Sequence, residues 1–300
     1  VFAKIGDDKN LTAFIVDAHT EGITLNPEEK KMGIKGSSTR QVFYNNVIIP
    51  AENLLGERNK GFKIALNILN IGRIKLGAGV VGAAKSVINH SVRYANEREQ
   101  FGRAISKYGA IRHKIAEQVI RTFAAESANM RCAADIDNAI QSLVDDGMSA
   151  EKATLKGIET FAPECAILKV VGSDTLDYCV DEGVQIHGGM GYSAESAVER
   201  GYRDARINKI FEGTNEINRL LTVDLILKKA MKGELDLMTP AMAVANDLMS
   251  IPDFEDPSTE LFAEEKKYIK NFKKSILMVA GTAVQKLMMS LSKEEEILMN

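Results

Sequence analysis

The spacing of apolar residues changes from a strand period to a helix period along this chain. Short runs of β-branched and aromatic residues occupy residues 11–16 and 41–44, and the second run resumes at residues 47–49 before Pro50. Proline cannot donate to a β-ladder, so the strand pattern ends there. We therefore predict antiparallel sheet over residues 1–58, in too small an amount to close a barrel.

From residue 61 the apolar positions recur every three or four residues, which is the period of an amphipathic helix. The pattern predicts helices over residues 61–97, 108–137 and 149–182. Pro163 should kink or divide the third helix, because proline removes a backbone donor and clashes with the preceding turn. Long antiparallel helices joined by short links indicate a helix bundle.

Residues 228–300 differ from the rest of the chain. Three of the six prolines, Pro240, Pro252 and Pro257, lie in the first half of this stretch, which is typical of a linker. Residues 260–291 then predict one more amphipathic helix. The predicted fold is mainly α, and its domains are a partial antiparallel β-domain (1–58), a helical bundle (59–227), and a linker with a C-terminal helical extension (228–300).

The composition excludes several classes of protein. The 300 residues are 45% hydrophobic and 26% charged, which is enough apolar material for a folded core. A net charge of −3 argues against a dedicated nucleic-acid binder. The three cysteines form no CxxC pair, so we expect neither a disulfide framework nor a zinc site, and a reducing compartment fits best. No run approaches 18 uninterrupted apolar residues, so we expect no transmembrane segment.

Both ends of the chain interrupt predicted elements. The sequence opens on a strand-like run without an initiator methionine or a leader, and it closes on acidic residues followed by apolar ones, as in the first turns of a helix. We therefore expect the chain to be a portion of a longer enzyme.

The segment Gly77-Ala78-Gly79-Val80-Val81-Gly82 has the GxGxxG spacing of a dinucleotide-binding loop. That function requires a preceding strand and a surrounding βαβ unit, whereas the pattern here continues as helix. With Gly72, these glycines put four poor helix formers into one predicted helix, at about 0.8–1 kcal/mol each relative to alanine. Close contact between helices or approach of a ligand to the backbone would offset that cost, and both explanations stay open.

The histidines give no evidence of a metal site. They are His19, His90, His113 and His187. None has a glutamate three residues before it, so the Glu-x-x-His pairs of a di-iron bundle are missing. The chain also lacks a GxSxG nucleophile elbow and a P-loop.

Two further segments carry candidate chemistry. Residues 185–192 hold three glycines between helical stretches, whose bare amides could bind phosphate, although a helix C-cap would explain one of them. In residues 206–217, Glu212 stands beside Gly213 and follows the apolar residues Ile210 and Phe211. Apolar surroundings raise the pKa of a carboxyl group by desolvation, which suits a general base; a helix-capping glutamate is the alternative.

Together these segments resemble the acyl-CoA dehydrogenase family. The resemblance covers roughly residues 1–227, and it is carried by residues 32–39, 47–50, 53–56 and 61–63, by Arg98-x-x-Phe101-Gly102, by residues 185–192, and by Phe211-Glu212-Gly213-Thr214-Asn215. Residues 68–73 and 210–215 are similar to the very-long-chain branch, as is the presence of extra helical sequence at the end.

The resemblance implies a fold and a reaction. The family has an N-terminal helical domain, a middle β-domain and a C-terminal four-helix domain, of which this chain would hold the end of the β-domain and the last domain. The family reaction is α,β-dehydrogenation of an acyl-CoA thioester: a glutamate removes the α-proton, FAD accepts the β-hydride, and electron-transferring flavoprotein reoxidises the flavin.

The motifs also imply roles for single residues. Glu212 would be the base and Gly213 would lie against the substrate, while Asn70 and Arg73 would contact the acyl-CoA. FAD contacts would come from Thr214, Asn215 and Glu216, and the FAD of a partner subunit would be reached by Arg98, Gln100 and Phe101 and by residues 185–189, which include Gln185, Gly188 and Gly189. A homodimer is therefore expected.

The chain departs from the family in two ways. Many members have a glutamine eleven residues after the Arg98 position for an FAD contact, and here that residue is Gly109. The β-domain segments that surround the flavin ring are also missing upstream of Val1, so the resemblance implies an incomplete site and an inactive fragment.

Two other functions stay open at this point. One is a non-catalytic dimerisation or assembly module with the same fold, and the other is an acyl-CoA oxidase, which would pass electrons to oxygen. The implied localisation is cytoplasmic for a bacterial protein and mitochondrial for a eukaryotic one.

Overall fold

The structure is a computed structural model that describes residues 1–249 and 260–299. The chain forms two compact units that divide between Asn218 and Arg219. The first unit contains the strands and the long helices, and the second contains the C-terminal helices. The prediction of a mainly α fold with a small antiparallel β part is confirmed.

The β part consists of very short strands. They are β1 (Phe2–Ala3), β2 (Thr12–Phe14), β3 (Ile23–Leu25), β4 (Val42–Tyr44) and β5 (Leu54–Leu55). One antiparallel sheet has the order β1-β2-β5, with Ala13 of β2 paired to Phe2 and to Leu55, and β3 pairs with β4 in a second.

The strand prediction is correct for two runs and wrong for one. β2 lies within residues 11–16 and β4 within residues 41–44. Residues 47–49 form no strand, and the Ile48 side chain is 86% exposed. The chain instead passes Pro50 into a 3₁₀ turn, Ala51–Asn53, and then into β5, which is too short to give a periodic signal.

Long helices make up most of the first unit. They are α1 (Gly61–Glu97), α2 (Gly109–Asp145), α3 (Ala150–Thr160) and α4 (Ala162–His187). The hairpin strands β6 (Glu99–Gln100) and β7 (Arg103–Ala104) follow α1, and the short helices α5 (Gly189–Tyr192) and α6 (Ala197–Ala205) follow α4. α7 (Asn215–Met231) begins in the first unit and continues past the division at residue 218. α1, α2 and α4 pack against one another, and α3 packs mainly on α2.

The predicted helix boundaries differ from the observed ones at α2 and agree at α1. α2 continues to Asp145 because Ile140 extends its apolar face and packs into the core formed with Cys165 and Leu168. It stops before Gly147, which has a φ of +89°. Pro163 divides the next helical stretch as predicted. It lies in the first turn of α4, where a backbone N–H would have no partner within the helix, so proline is tolerated there.

The core between α1 and α4 explains one of the GxGxxG glycines. A Cβ on Gly77 would lie 2.6 Å from Asn129 Oδ1, and a Cβ on Gly172 of α4 would lie 2.8 Å from Val80 Cγ2 and 3.3 Å from the Gly77 Cα. The two backbones therefore touch at this crossing. Gly79 and Gly82 have nothing within 4 Å of an added Cβ, and the whole motif lies inside α1, so it is no dinucleotide loop.

The second unit contains α8 (Met238–Met249), α9 (Ala263–Leu287), a 3₁₀ turn (Met288–Lys293) and α10 (Glu295–Met299). The linker prediction is wrong at Pro240, which lies in the first turn of α8, where proline is tolerated. Pro252 and Pro257 lie outside the described residues. The expected helix over residues 260–291 is observed as α9 and the turn after it. The domain boundaries at residues 58 and 227 stay a prediction.

α1 is long and apolar enough to cross a membrane by length and composition, and no other helix in the described ranges passes that test. The central helix of a globular core passes the same test, and α1 packs against α2 and α4. The absence of a transmembrane segment therefore stays a prediction.

We expect the substitutions Gly77→Ala and Gly82→Ala to have opposite effects on the stability of the chain. A methyl group at Gly77 requires Asn129 to move, which costs about 1–3 kcal/mol. A methyl group at Gly82 meets open space, so the higher helix propensity of alanine should stabilise by about 0.5–1 kcal/mol. Urea unfolding of this 300-residue chain, followed by circular dichroism, measures both changes.

The two glycines lie on the same helix, so the pair separates close packing from helix propensity. Equal shifts of the unfolding midpoint in the two variants would contradict the packing explanation for Gly77.

Candidate active site

A strained loop carries Glu212. It connects a 3₁₀ turn, Arg206–Lys209, to the start of α7. Glu212 has a φ of +58° and Gly213 a φ of +81°, so both residues have left-handed backbone. This conformation costs a non-glycine residue about 1–2 kcal/mol and persists only where neighbouring groups hold it.

Two buried side chains hold the loop. Asn218 Nδ2 donates to the carbonyl oxygens of Glu212 at 3.3 Å, Gly213 at 2.7 Å and Thr214 at 3.0 Å, and Arg73 Nε donates to the carbonyl of Glu212 at 3.2 Å. Asn218 is 0% exposed. The turn is therefore fixed from α7 and from α1 at once.

The Glu212 side chain does not cap α7. The cap is Thr214, whose Oγ1 accepts a hydrogen bond from the Ile217 N–H at 3.3 Å. The Glu212 carboxylate instead reaches α1, where a Cβ on Gly72 would lie 2.6 Å from its Cδ and 2.9 Å from Oε1. Glycine at position 72 therefore makes room for this carboxylate, which sequence reasoning had not connected to Glu212.

An apolar hollow of about 220 Å³ begins at the carboxylate. It is lined by Gly72, Leu76, Gly79, Val80, Ala83, Leu176, Asn208, Phe211 and Glu212. Ala83, Leu176 and Asn208 also line a second hollow of about 310 Å³ farther along α1. Because the two hollows share these lining residues, they adjoin one another, and we refer to them together as the groove; Gly79 lines its Glu212 end.

The predicted acyl-CoA residues lie beside this loop. Arg73 and Asn70 are both buried, and Arg73 Nη1 donates to Asn70 Oδ1 at 3.1 Å. Burial lowers the pKa of Arg73, while the negative charge of Glu212 acts in the opposite direction. Asn70, Arg73, Glu212 and Gly213 thus form one cluster.

The three residues expected to contact FAD next to the base have different surroundings. Thr214 caps α7, and Glu216 is exposed on its first turn. Asn215 is buried, and its side-chain amide is bonded inside the protein to Lys169, Ser173 and Asp174.

Lys169 is a member of this cluster that sequence reasoning missed. It is 0% exposed, and its ammonium donates to Asn215 Oδ1 at 2.7 Å. Burial lowers the pKa of Lys169 to about 8. The sequence does contain a sign of this buried lysine: Lys169 lies at helical spacing from two apolar residues of α4, four residues after Cys165 and seven before Leu176.

A second candidate site lies at the other end of α1. A cleft of about 730 Å³ is lined by Arg98, Gln100 and Phe101 from the end of α1 and the hairpin after it, and by Gly188 and Gly189 from the end of α4. The structure therefore brings the two segments predicted to reach a partner's FAD into one cleft. Gln185 is exposed and does not line it.

The glycines of residues 185–192 serve different purposes. Gly188 ends α4 with a φ of +59° and donates its N–H to the Gln185 carbonyl at 3.2 Å, which is a C-cap. A Cβ on Gly191 would lie 2.9 Å from the Cβ of His187, so that glycine permits close packing. Gly189 borders the cleft and has open space around it, as a bare backbone for an anion requires.

The two sites are far apart. Arg73 and Arg98 are 25 residues apart along α1 (98 − 73), which corresponds to about 38 Å at 1.5 Å per residue. Within residues 1–249 and 260–299, no group of three or more histidine, cysteine or acidic residues is arranged to hold a metal ion.

Comparison with known proteins gives one family. The family model described as "Acyl-CoA dehydrogenase, C-terminal domain" matches residues 59–227, and a second model with the same description matches residues 271–300.

Several known proteins are similar to most of this chain. A probable acyl-CoA dehydrogenase of Bacillus subtilis is 47% identical over 300 residues, which is 100% of this chain and 50% of the relative. The mitochondrial very long-chain specific acyl-CoA dehydrogenase of Homo sapiens is 41% identical over 212 residues, 71% of this chain and 30% of the relative. A crystal structure of an acyl-CoA dehydrogenase complexed with FAD, from Bacillus anthracis, is 48% identical with a TM-score of 0.93, and the match covers 100% of this chain and 50% of that one. The chain thus spans about half the length of the Bacillus relatives.

We expect Asn218→Ala to release the loop around Glu212. The variant loses the hydrogen bonds to three carbonyl groups, which should destabilise the protein by about 1–3 kcal/mol. Hydrogen–deuterium exchange followed by mass spectrometry should show faster exchange in peptides that cover residues 211–217.

Asn138→Ala is the matched control, because Asn138 is exposed on α2. Exchange at residues 211–217 that is the same in both variants would show that Asn218 does not hold the loop.

Proposed function

This chain belongs to the acyl-CoA dehydrogenase family, and we propose that it is the C-terminal portion of an FAD-dependent enzyme that dehydrogenates acyl-CoA thioesters at the α and β carbons. The observation that carries this proposal is the Glu212 carboxylate, which lies against Gly72 at one end of an apolar groove.

Glu212 is the proposed base for the substrate α-proton. The α-proton of a thioester is weakly acidic, so a base must lie within hydrogen-bond reach of that carbon. The left-handed turn, held by Arg73 and Asn218, fixes the carboxylate at the groove. A carboxylate whose position is set before the substrate arrives needs little reorganisation during proton transfer.

The groove is the proposed place of the acyl chain. The hollow next to Glu212 is mainly apolar, so burying a hydrocarbon chain there is favourable by about 0.8 kcal/mol per CH₂, whereas the second hollow also carries His90, Arg200 and Asp204. Gly213 offers no side chain to keep the thioester away from Glu212. Arg73 and Asn70 contribute a buried polar pair on the same side, which can orient the polar end of the acyl-CoA.

The residues of this chain fit an FAD at both candidate sites. When bound, FAD accepts the hydride from the substrate β-carbon. Thr214, Asn215 and Glu216 would hold it next to the base, and Asn215 would do so through its main chain because its amide is bonded inside the protein.

The cleft at the other end of α1 would receive the FAD of a partner subunit. Arg98, Gln100 and Phe101, with Gly188 and Gly189, offer a cation, a side-chain amide and bare backbone, which suits a pyrophosphate. This cleft lies about 38 Å along α1 from Arg73, which is farther than one dinucleotide reaches. A homodimer, in which each FAD touches both subunits, uses both sites.

Electron-transferring flavoprotein is the proposed electron acceptor of the full-length enzyme. An acyl-CoA oxidase would instead reduce oxygen. Oxygen consumption measured together with flavin reduction separates the two.

We expect Glu212→Gln in the full-length enzyme to slow flavin reduction by acyl-CoA about 10²- to 10⁴-fold. Glutamine keeps the size and hydrogen bonding of the side chain but cannot accept the α-proton. FAD content and acyl-CoA affinity should stay close to those of the parent, as measured by absorbance and by anaerobic titration.

Glu151→Gln is the control for loss of a carboxylate, because Glu151 is exposed on α3 and lines neither candidate site. Normal flavin reduction by Glu212→Gln would remove Glu212 from the mechanism. The 300-residue chain alone should show no turnover, since the proposed site needs the segments around the flavin ring.

We expect Arg98→Ala in the full-length enzyme to weaken FAD retention more than it slows chemistry. Loss of a charge-assisted contact with a pyrophosphate should cost about 1.5–3 kcal/mol of binding free energy. Flavin absorbance after extensive dialysis measures the occupancy.

Arg93→Ala is the matched control, because Arg93 is an exposed arginine one turn earlier on α1 that pairs with Glu97. Equal FAD occupancy in Arg98→Ala and the parent would mean that Arg98 is only an exposed arginine at a helix end.

A further inference from the structure

Lys169 lies inside the protein on α4, on the same buried face as Cys165 and Ser173. An ammonium group that is taken out of water is costly unless polar partners compensate it. Methionine has nearly the same length and would fill the space without that cost. A fully buried lysine at this position therefore requires an explanation other than packing.

The contacts of Lys169 lead to the start of α7. Its ammonium donates to Asn215 Oδ1 at 2.7 Å, and Ser173 Oγ lies 3.1 Å from the same oxygen. Asn215 Nδ2 donates to Ser173 Oγ and to Asp174 Oδ1, both at 3.0 Å. Both ends of the Asn215 amide are thus bonded to α4, which leaves this side chain one orientation.

Asn215 connects this network to the Glu212 loop. It is the first residue of α7 and follows Glu212 by three positions. Asn218, less than one turn later, donates to the carbonyls of Glu212, Gly213 and Thr214. A shift of the first turn of α7 therefore moves the backbone that carries Glu212.

We propose that Lys169 is a positioning residue, which holds the first turn of α7 through Asn215 and thereby keeps the Glu212 carboxylate at the groove. This inference rests on the proposed role of Glu212 as the base.

The charge of Lys169 also acts on the site. Glu216, Asp174 and Glu212 attract it, while Arg73 repels it. Burial is the largest influence and lowers the pKa of Lys169 to about 8. Above that pH the neutral amine can still donate to Asn215, but its attraction for the carboxylates is lost.

The test uses the full-length, FAD-loaded enzyme with Lys169→Met. We expect the rate of flavin reduction at saturating acyl-CoA to fall about 10- to 100-fold, because a small displacement of a base costs that much. The dissociation constant for acyl-CoA should not change, and the rate is expressed per bound FAD, because the first turn of α7 is also proposed to contact FAD. Hydrogen exchange at residues 211–217 should become faster, which is a readout independent of activity.

Lys114→Met is the matched control. Lys114 is a half-buried lysine on α2 that pairs with Glu182, remote from the Glu212 loop in sequence and contacts. We expect it to leave flavin reduction and exchange at residues 211–217 unchanged.

A double variant separates positioning from general destabilisation. When Lys169→Met is added to Glu212→Gln, flavin reduction should not slow further, because the effect of Lys169 passes through Glu212. If Lys169→Met slows flavin reduction in the Glu212→Gln enzyme by the same factor as in the parent enzyme, the inference is overturned. A normal rate in the single variant Lys169→Met would also overturn it.

If Lys169→Met does not yield folded, FAD-bound protein, Asn215→Ala tests the same link, since it removes the amide and keeps the lysine. An unchanged rate in that variant would overturn the inference. A slow Glu212→Gln with a normal Lys169→Met overturns this inference alone, whereas a normal Glu212→Gln overturns the proposed function on which it rests.

Discussion

The left-handed backbone at Glu212 and Gly213 is the constraint to which the surrounding helices are fitted. A glutamate in this conformation is strained, and the turn persists because donors from two helices bind its carbonyl groups. The turn directs the carboxylate toward α1, and only a residue without a side chain can accept it there, which is the reason for Gly72. One local conformation thus accounts for a buried arginine, a buried asparagine and a glycine in the middle of a helix.

The sequence predicts those features of the fold that depend on neighbouring residues. The bounds of α1 and the division at Pro163 follow from apolar spacing and from proline stereochemistry. Pro240 misled the prediction because proline fits the first turn of a helix as well as it fits a linker. The candidate base was visible because Glu212 and its flanking residues form one contiguous segment.

The supports of the site could not be predicted in the same way. Asn218 and Lys169 are ordinary polar residues in helical sequence, and their roles arise from contacts with segments that lie 4 to 6 and 46 residues away. The purpose of Gly72 depends on a carboxylate 140 residues later (212 − 72). The pairings of Lys169 and Gly72 exist only once α4 and α1 have packed beside the Glu212 loop. The Asn218 contacts are local, but they require the left-handed turn at Glu212 and Gly213, which apolar periodicity and helix propensity do not predict.

Two buried cations beside one carboxylate also set the electrostatics of the site. Arg73 and Lys169 both have pKa values lowered by burial, and the negative charge of Glu212 raises the pKa of each. Under the proposed function, proton uptake by Glu212 would remove this attraction and leave both cations beside a neutral carboxyl group. The same cations could then attract the negative charge that develops on a bound thioester as the α-proton leaves. Charges that are already fixed inside the protein do this without reorganisation, so the buried positions of Arg73 and Lys169 suit the proposed reaction.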